Sequence, residues 1–219
     1  MSELILSERD GDVVTITLNN PEKRNALPLA AWSRLTYVIA PLALDETVRC
    51  IVIRGAGDRA FAAGADVNEM ASRDLVGMLE DPRVQHWGRI DRFVKPLIIA
   101  VNGFCLGGGC ELAMRGDILI AGTNAQFGQS EINLGIMPGA GGTQRLVRAV
   151  GQSLAMQMVL TGEAIGAQRA LAADLITEIC QPELTVERAM AIATTIASKG
   201  PIAVQLARES VRRAADMDL

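Results

Sequence analysis

Val101-Asn102-Gly103-Phe104-Cys105-Leu106-Gly107-Gly108-Gly109-Cys110-Glu111 is the stretch on which the reading of this chain turns. It is followed by Gln126-Phe127-Gly128-Gln129-Ser130-Glu131 and by Pro138-Gly139-Ala140-Gly141-Gly142-Thr143. Three consecutive glycines between an apolar strand and a helical run go beyond what packing alone asks. Each costs backbone entropy, and together they let the main chain approach a ligand closely. A helix is expected from Glu111 to Arg115, so the free N–H groups of its first turn face whatever lies over the glycines. Such a helix start attracts negative charge. Glu111 stands in that turn, and Glu131 follows another strand and a turn. Twenty residues separate them, too many for one helix face, so they must converge through the fold.

Outward from this centre, Leu97 to Val101 reads as the strand that feeds the glycines and Ile118 to Ala121 as the next strand. Upstream, Leu4 to Glu8 and Val13 to Leu18 alternate as strands around Asp10-Gly11-Asp12, a hairpin signal. After a polar loop, Asn19 to Asn25, a helix begins at Pro28, with Leu29, Trp32, Leu35 and Ile39 at helical spacing. Pro41 is expected to end or kink it. Cys50 to Arg54 is a short buried strand. Phe61-Ala62-Ala63-Gly64-Ala65-Asp66 is a run of small residues. A helix carrying Met70 is expected from Asp66 or Asn68, then an amphipathic one from Asp74 to Phe93, interrupted at Asp81-Pro82. Downstream, Leu146 to Val150 and Leu154 to Leu160 read as helices separated by Gly151. Ala167 to Ala173 is a short helix, Leu175 to Ile179 a strand, and Val186 to Ala197 and Ile202 to Ala215 are closing helices. The alternation runs unbroken by any low-complexity stretch, which argues one α/β domain with later helices packed beside it.

Composition narrows the class. A 219-residue chain with 49% hydrophobic and 21% charged residues can bury a full core, and with only 3% aromatics that core must be Ala, Val, Ile and Leu. A net charge of −4 argues against a nucleic-acid surface, which needs clustered Lys and Arg. Cys50, Cys105, Cys110 and Cys180 lack metal-site spacing, so no metal is expected and they read as buried free thiols of a reducing compartment. With no signal peptide and no apolar run long enough for a membrane, the reading is a cytoplasmic protein with no membrane partner. His86 beside Trp87 reads as a packing residue, and Met114, Met156 and Met158 as gap-fillers in the core.

Two carboxylates beside an anion site suit a reaction in which charge develops on a carbonyl oxygen while protons move. Fixed N–H donors stabilise that charge without reorganising. A glutamate pair can hold a water, take its proton and deliver a proton to carbon.

These motifs, in this order, resemble those of the enoyl-CoA hydratase (crotonase) superfamily: Phe61 to Asp66, Asn102-Gly103 leading to Gly107-Gly108-Gly109-Cys110-Glu111-Leu112-Ala113, Phe127-Gly128 with Glu131, and Gly135 to Arg145. The pattern is closest to the 2-enoyl-CoA hydratases, including the type that acts on a 2,3-dehydroadipyl thioester. The resemblance implies an α/β fold, a crotonase-like spiral of repeated β-β-α units followed by C-terminal helices. Residues 1–200 would form the spiral core and 201–219 the start of the helical region, with the polypeptide expected to continue past Leu219. It implies an oxyanion hole at the N–H groups of Ala65 and Gly108, Glu111 activating the water, and Glu131 holding that water and protonating the α-carbon. The Gly139 N–H would help orient the water. Coenzyme A, part of the thioester substrate rather than a permanent cofactor, would be met by Ala62, Ala63 and Asp66. Lys23 and Arg24 are candidates for its phosphates, against a reading as solvated loop charges. The family's habit implies a homotrimer or hexamer. Asp174 stands where relatives carry glycine and is expected in a left-handed cap conformation. Two competing readings remain: a Δ3,Δ2-enoyl-CoA isomerase, which commonly manages with one glutamate, and a non-catalytic scaffold or RNA-binding relative.

Overall fold

Alternating apolar residues pair β1 (Ile5–Asp10) with β2 (Val13–Leu18) as an antiparallel hairpin, Ile5 opposite Leu18. This computed structural model describes residues 3–66, 69, 76–77 and 80–214. The helix expected around Asn68 and Met70, and most of the stretch from Asp74 to Leu79, fall outside the described residues.

After α1 (Leu29–Leu44), a two-strand step recurs three times. β3 (Cys50–Gly55) and β4 (Ala60–Ala62) precede α2 (Arg83–Asp91); β5 (Leu97–Val101) and β6 (Phe104–Leu106) precede α3 (Gly108–Ala113); β7 (Ile118–Gly122) and β8 (Gln126–Gly128) precede α4 (Gly142–Thr161). The first strand of each step joins a six-stranded sheet, the second a four-stranded one. The large sheet runs β1-β2-β3-β5-β7-β10 and the small one β4-β6-β8-β9, with β9 at Ile165–Gly166 and β10 at Glu178–Cys180. The chain therefore turns a corner between sheets in every step, which is the expected spiral of β-β-α units.

Strands β3 and β5 are covered on both faces, as their near-continuous apolar sequences require of parallel strands. The period of two decides which residue goes where. Ile51, Ile53, Ile99 and Val101 face the main core under α1. Cys50, Val52, Ile98 and Ala100 face the other way and meet Ala189 and Ala193 of α6 (Thr185–Ala197). Small residues on α6 let it lie close to the sheet. Cys50, Cys105 and Cys110 are buried free thiols, and Cys180 is half-buried.

Several local expectations are corrected. Helix α1 runs through Pro41 for another turn, with the Asp45 N–H on the Pro41 carbonyl at 3.1 Å. The proline forfeits only its own bond to Tyr37, which lies on the exposed side where water can meet the freed carbonyl. α3 starts at Gly108, three residues before the expected start, because the glycines after Gly107 are themselves helical. β10 begins three residues later than the expected strand at Leu175. Met158 is in the core, but Met156 is 52% exposed on the outer side of α4. The expected break at Gly151 is present (φ 77°, ψ 165°), and Asp174 adopts the left-handed conformation (φ 62°). The last helices are α5 (Ala167–Ala172), α6 and α7 (Pro201–Arg213). α7 buries no residue. Arg208 and Arg212 fasten it by pairing with Asp117 at 2.7 and 2.9 Å.

The three glycines have three different reasons. Gly107 turns the chain into the helix at φ 50°. A Cβ on Gly109 would stand 2.2 Å from the Ala62 carbonyl oxygen, so packing alone demands this glycine. A Cβ on Gly108 would meet nothing closer than 3.7 Å. Gly109→Ala is therefore expected to destabilise the protein by about 1–3 kcal/mol through overpacking. Gly108→Ala should leave the unfolding free energy within about 0.5 kcal/mol of the parent. Chemical denaturation of the two variants side by side checks the contrast.

Candidate active site

The corner between the two sheets brings the ends of β4, β6 and β8 to one cavity of about 790 Å³. Its wall contains Ala65, Gly108, Glu111, Glu131 and Gly139, all five of the residues expected to do chemistry. Trp32, Trp87, Ile132, Leu134 and Met137 contribute apolar surface to it. The buried ion pair of Asp81 and Arg83, 2.6 Å apart, is also in the wall.

The backbone donors converge as their positions in the fold require. The first intrahelical donor of α3 is the Glu111 N–H, bound to the Gly107 carbonyl at 2.9 Å, so the Gly108 N–H precedes the helix ladder. Leu27 bridges to this strand end by placing its N–H on the Gly64 carbonyl at 2.8 Å, which leaves the Ala65 N–H out of the bridge. A Cβ on Gly108 would lie 3.7 Å from the Ala65 nitrogen, so the two donors are neighbours.

Glu111 is 3% exposed. Its Oε1 accepts the N–H of Ala140 at 2.7 Å and that of Gly142, the first residue of α4, at 2.8 Å. Burial pushes its pKa above the ordinary carboxylate value; the two N–H groups and the charges of Arg115 and Arg145 pull the other way. Glu131 opens a 3₁₀ helix, Glu131–Leu134. Burial, with a smaller contribution from the negative charge of Glu111, pushes its pKa up to about 7. Its Oε2 is buried with no hydrogen-bond partner in the protein, and its Oε1 lies 3.3 Å from where a Cβ of Gly107 would be. One carboxylate is clamped and the other is open to the cavity.

The residues expected around coenzyme A divide. Ala63 lines the cavity. Ala62 is not part of this wall: it is fully buried in β4, with its carbonyl against Gly109. Lys23 pairs with Asp66 at 3.5 Å, and the Arg24 guanidinium lies 5.4 Å from the Phe104 ring, both outside this cavity. His86 packs as expected, bonded to Thr36 at 2.9 Å and Ser33 at 3.2 Å, and so ties α2 to α1.

Sequence reasoning passed over Gln129. It is fully buried, and neither atom of its amide has a partner in the protein. A Cβ on Gly142 would meet both Gln129 Oε1 and Glu111 Oε1, at 2.6 and 2.8 Å, so the amide stands beside the clamped carboxylate. Its place between Gly128 and Glu131 was a signal only in retrospect, since a lone glutamine carries no charge or spacing rule.

Comparison with known proteins agrees with this geometry. The enoyl-CoA hydratase/isomerase family model matches residues 8–219. A 2,3-dehydroadipyl-CoA hydratase of Escherichia coli is 50% identical over 219 residues, covering 100% of this chain and 85% of the relative. A mitochondrial enoyl-CoA hydratase of Pongo abelii is 46% identical over 220 residues, 99% of this chain and 76% of the relative. The crystal structure of an enoyl-CoA hydratase from Bacillus anthracis superposes with a TM-score of 0.93 at 36% identity, over 99% of this chain and 85% of that one. By sequence and by fold, this chain belongs to the enoyl-CoA hydratase/isomerase family.

Proposed function

We propose that this protein is an enoyl-CoA hydratase, adding water across the 2,3 double bond of an enoyl-CoA thioester to give a 3-hydroxyacyl-CoA. The observation that carries the reading is the convergence of two glutamates, one buried and clamped, the other half-buried and open, on a cavity that also contains two neighbouring backbone donors. The thioester oxygen takes the N–H groups of Ala65 and Gly108, which draw negative charge onto it as the β-carbon is attacked. Glu111, its carboxylate fixed by two N–H groups, accepts a proton from the attacking water. Glu131, with a pKa about 7, holds a proton near neutrality and delivers it to the α-carbon. The next water, bridging the glutamates, passes the proton from Glu111 back to Glu131. The Gly139 N–H helps orient the water. Coenzyme A enters and leaves as part of the thioester, with Ala63 at the cavity wall and Lys23 and Arg24 toward its phosphates.

The 50% identical relative named for 2,3-dehydroadipyl-CoA favours testing ω-carboxylated thioesters beside unbranched ones. The deciding assay is the ultraviolet loss of the conjugated thioester with crotonyl-CoA, longer 2-enoyl-CoAs and 2,3-dehydroadipyl-CoA. Migration of a 3-enoyl double bond without hydration would instead indicate an isomerase. Ile202, Leu206 and Val211 are exposed along α7, which supports a homo-oligomer, a trimer or a pair of trimers, readable by light scattering. Among the described residues no helix is long and apolar enough to cross a membrane, and the buried free thiols support a cytoplasmic setting.

Glu111→Gln and Glu131→Gln should each lower turnover at least about a hundredfold while acyl-CoA binding stays near parental. A variant that hydrates crotonyl-CoA at the parent rate shows that its glutamate is misassigned. Gly108→Val should place a side chain where the thioester lies and abolish activity with a far-UV spectrum like the parent's.

The same shift makes a stability prediction. The folded pKa of Glu131, about 7, exceeds the ordinary value of 4.5, so between those pH values the native state binds more protons than the unfolded state. Stability from this group is present below about pH 4.5 and lost as pH rises through 7. Glu131→Gln removes the loss. It should be more stable than the parent at pH 8, by on the order of 2 kcal/mol, and nearly equal to it at pH 4.5. Urea unfolding at the two pH values reads the difference directly; equal gains at both would assign the effect to something other than the carboxylate.

A further inference from the structure

Arg115 is a buried cation beneath the site with no part in the reaction described above. It follows α3 and touches three pieces of the molecule. Its Nη1 donates to the Glu111 carbonyl at 3.0 Å. Its Nε lies 3.0 Å from Asp91 Oδ1, and its Nη2 donates to Asp91 Oδ2 at 3.3 Å, at the end of α2. Its guanidinium carbon stacks 4.2 Å from the Trp87 ring, on the same helix. A Cβ on Gly141 would be 3.9 Å from its Nη2, so it also underlies the loop whose N–H groups clamp Glu111. Asp91 extends the network to α4 through Arg145 at 2.7 Å.

Trp87 is thus held from two directions. Arg115 stacks on it and Trp32 packs against it with centroids 4.0 Å apart. The indole edge then stands beside Gly108: a Cβ there would be 3.9 Å from Trp87 Cζ2. The wall that an acyl chain must pass is therefore set by a cation–π contact and an ion pair, not by apolar packing alone.

We propose that Arg115 is a positioning residue for the hydration reaction: its guanidinium fixes Trp87 as the wall beside Gly108 and supplies positive charge beneath Glu111. The proposal rests on the hydratase reading above. The charged groups facing Glu111 are Arg115 from just after α3, Arg145 from α4 and Glu131 from the 3₁₀ helix, and the two arginines favour the ionised carboxylate. Removing Arg115 leaves one cation opposing the burial, so Glu111 takes up a proton at higher pH than in the parent.

The test compares the parent with Arg115→Met, Arg115→Lys and Asp91→Asn in the crotonyl-CoA assay across pH. Arg115→Met should raise KM about tenfold as the indole loses its stacking partner, and move the acid limb of kcat/KM to higher pH. Arg115→Lys keeps a charge but cannot both stack and fork to Asp91. It should return the acid limb toward the parent while KM stays high. Asp91→Asn should raise KM with no upward move of the limb. A role in stability alone would lower the melting temperature and leave both readouts parental, and a folded Arg115→Met variant with parental KM and limb overturns the proposal. If that variant does not fold, the other two decide: parental KM in both overturns it. A parent that binds butyryl-CoA but does not hydrate crotonyl-CoA sinks the hydratase reading instead. The affinity of the variants for butyryl-CoA then decides the role of Arg115 in shaping the wall, with parental affinity overturning it.

Discussion

Burying the Glu111 carboxylate is the constraint on which this site depends. An ionised carboxylate taken from water into a protein interior costs several kcal/mol unless it is hydrogen-bonded and faced by opposite charge. Here the Ala140 and Gly142 N–H groups meet one oxygen, and Arg115 and Arg145 lie near. The Gly142 donor is available only because it starts α4. Gly142 is also crowded by Gln129 and Pro138 in a way that leaves no space for a Cβ. The glycine-rich turn before α4 therefore has a structural duty, to bring main-chain donors against a buried acid.

The spiral supplies the other half. Each β-β-α step sends its second strand into the small sheet, so β4, β6 and β8 end side by side. The residues just after β4 and β6 are Ala63 to Ala65 and Gly107 to Gly108. Two backbone N–H groups from segments far apart in sequence thus become neighbours without side-chain help. The close approach needs Gly109 against the Ala62 carbonyl. Packing and chemistry are linked here: the contact that seats α3 on β4 also sets the spacing of the two donors.

How much of this was legible follows from the range of each signal. The first hairpin, the longer strands at Cys50, Leu97 and Ile118 and the glycine corner were readable because period and spacing act locally, whereas β4 and β6, of three residues each, are too short to carry a period. The break at Gly151 and the left-handed Asp174 were readable because few residues adopt those conformations. Pro41 misled because the rule counts the lost hydrogen bond and not where the freed carbonyl points; on the exposed side of α1 the helix continues. Met156 misled because a methionine among apolar residues at helical spacing reads as core, while its face of α4 is outward. The period of two in β4 turns Ala62 into the core, while its neighbour Ala63 lines the cavity. Arg115 and Gln129 had no signal at all. A buried arginine is recognised by what surrounds it, and Trp87 and Asp91 come to it from a helix more than twenty residues upstream.

Two carboxylates in one cavity differ because their surroundings differ, and that difference assigns the proposed roles. Glu111 is held by two N–H groups and faced by two arginines, which oppose the upward push of burial on its pKa. Glu131 has burial and a nearby negative charge against it and one oxygen with no protein partner, so its protonated form persists to about pH 7. The ionised member of such a pair is suited to accept a proton and the neutral one to give it. Exchanging the roles would require moving the helix start at Gly142 or the arginines beneath α3, which are fixed by the packing of α2, α3 and α4. The proposed direction of proton flow therefore follows from which acid the fold clamps.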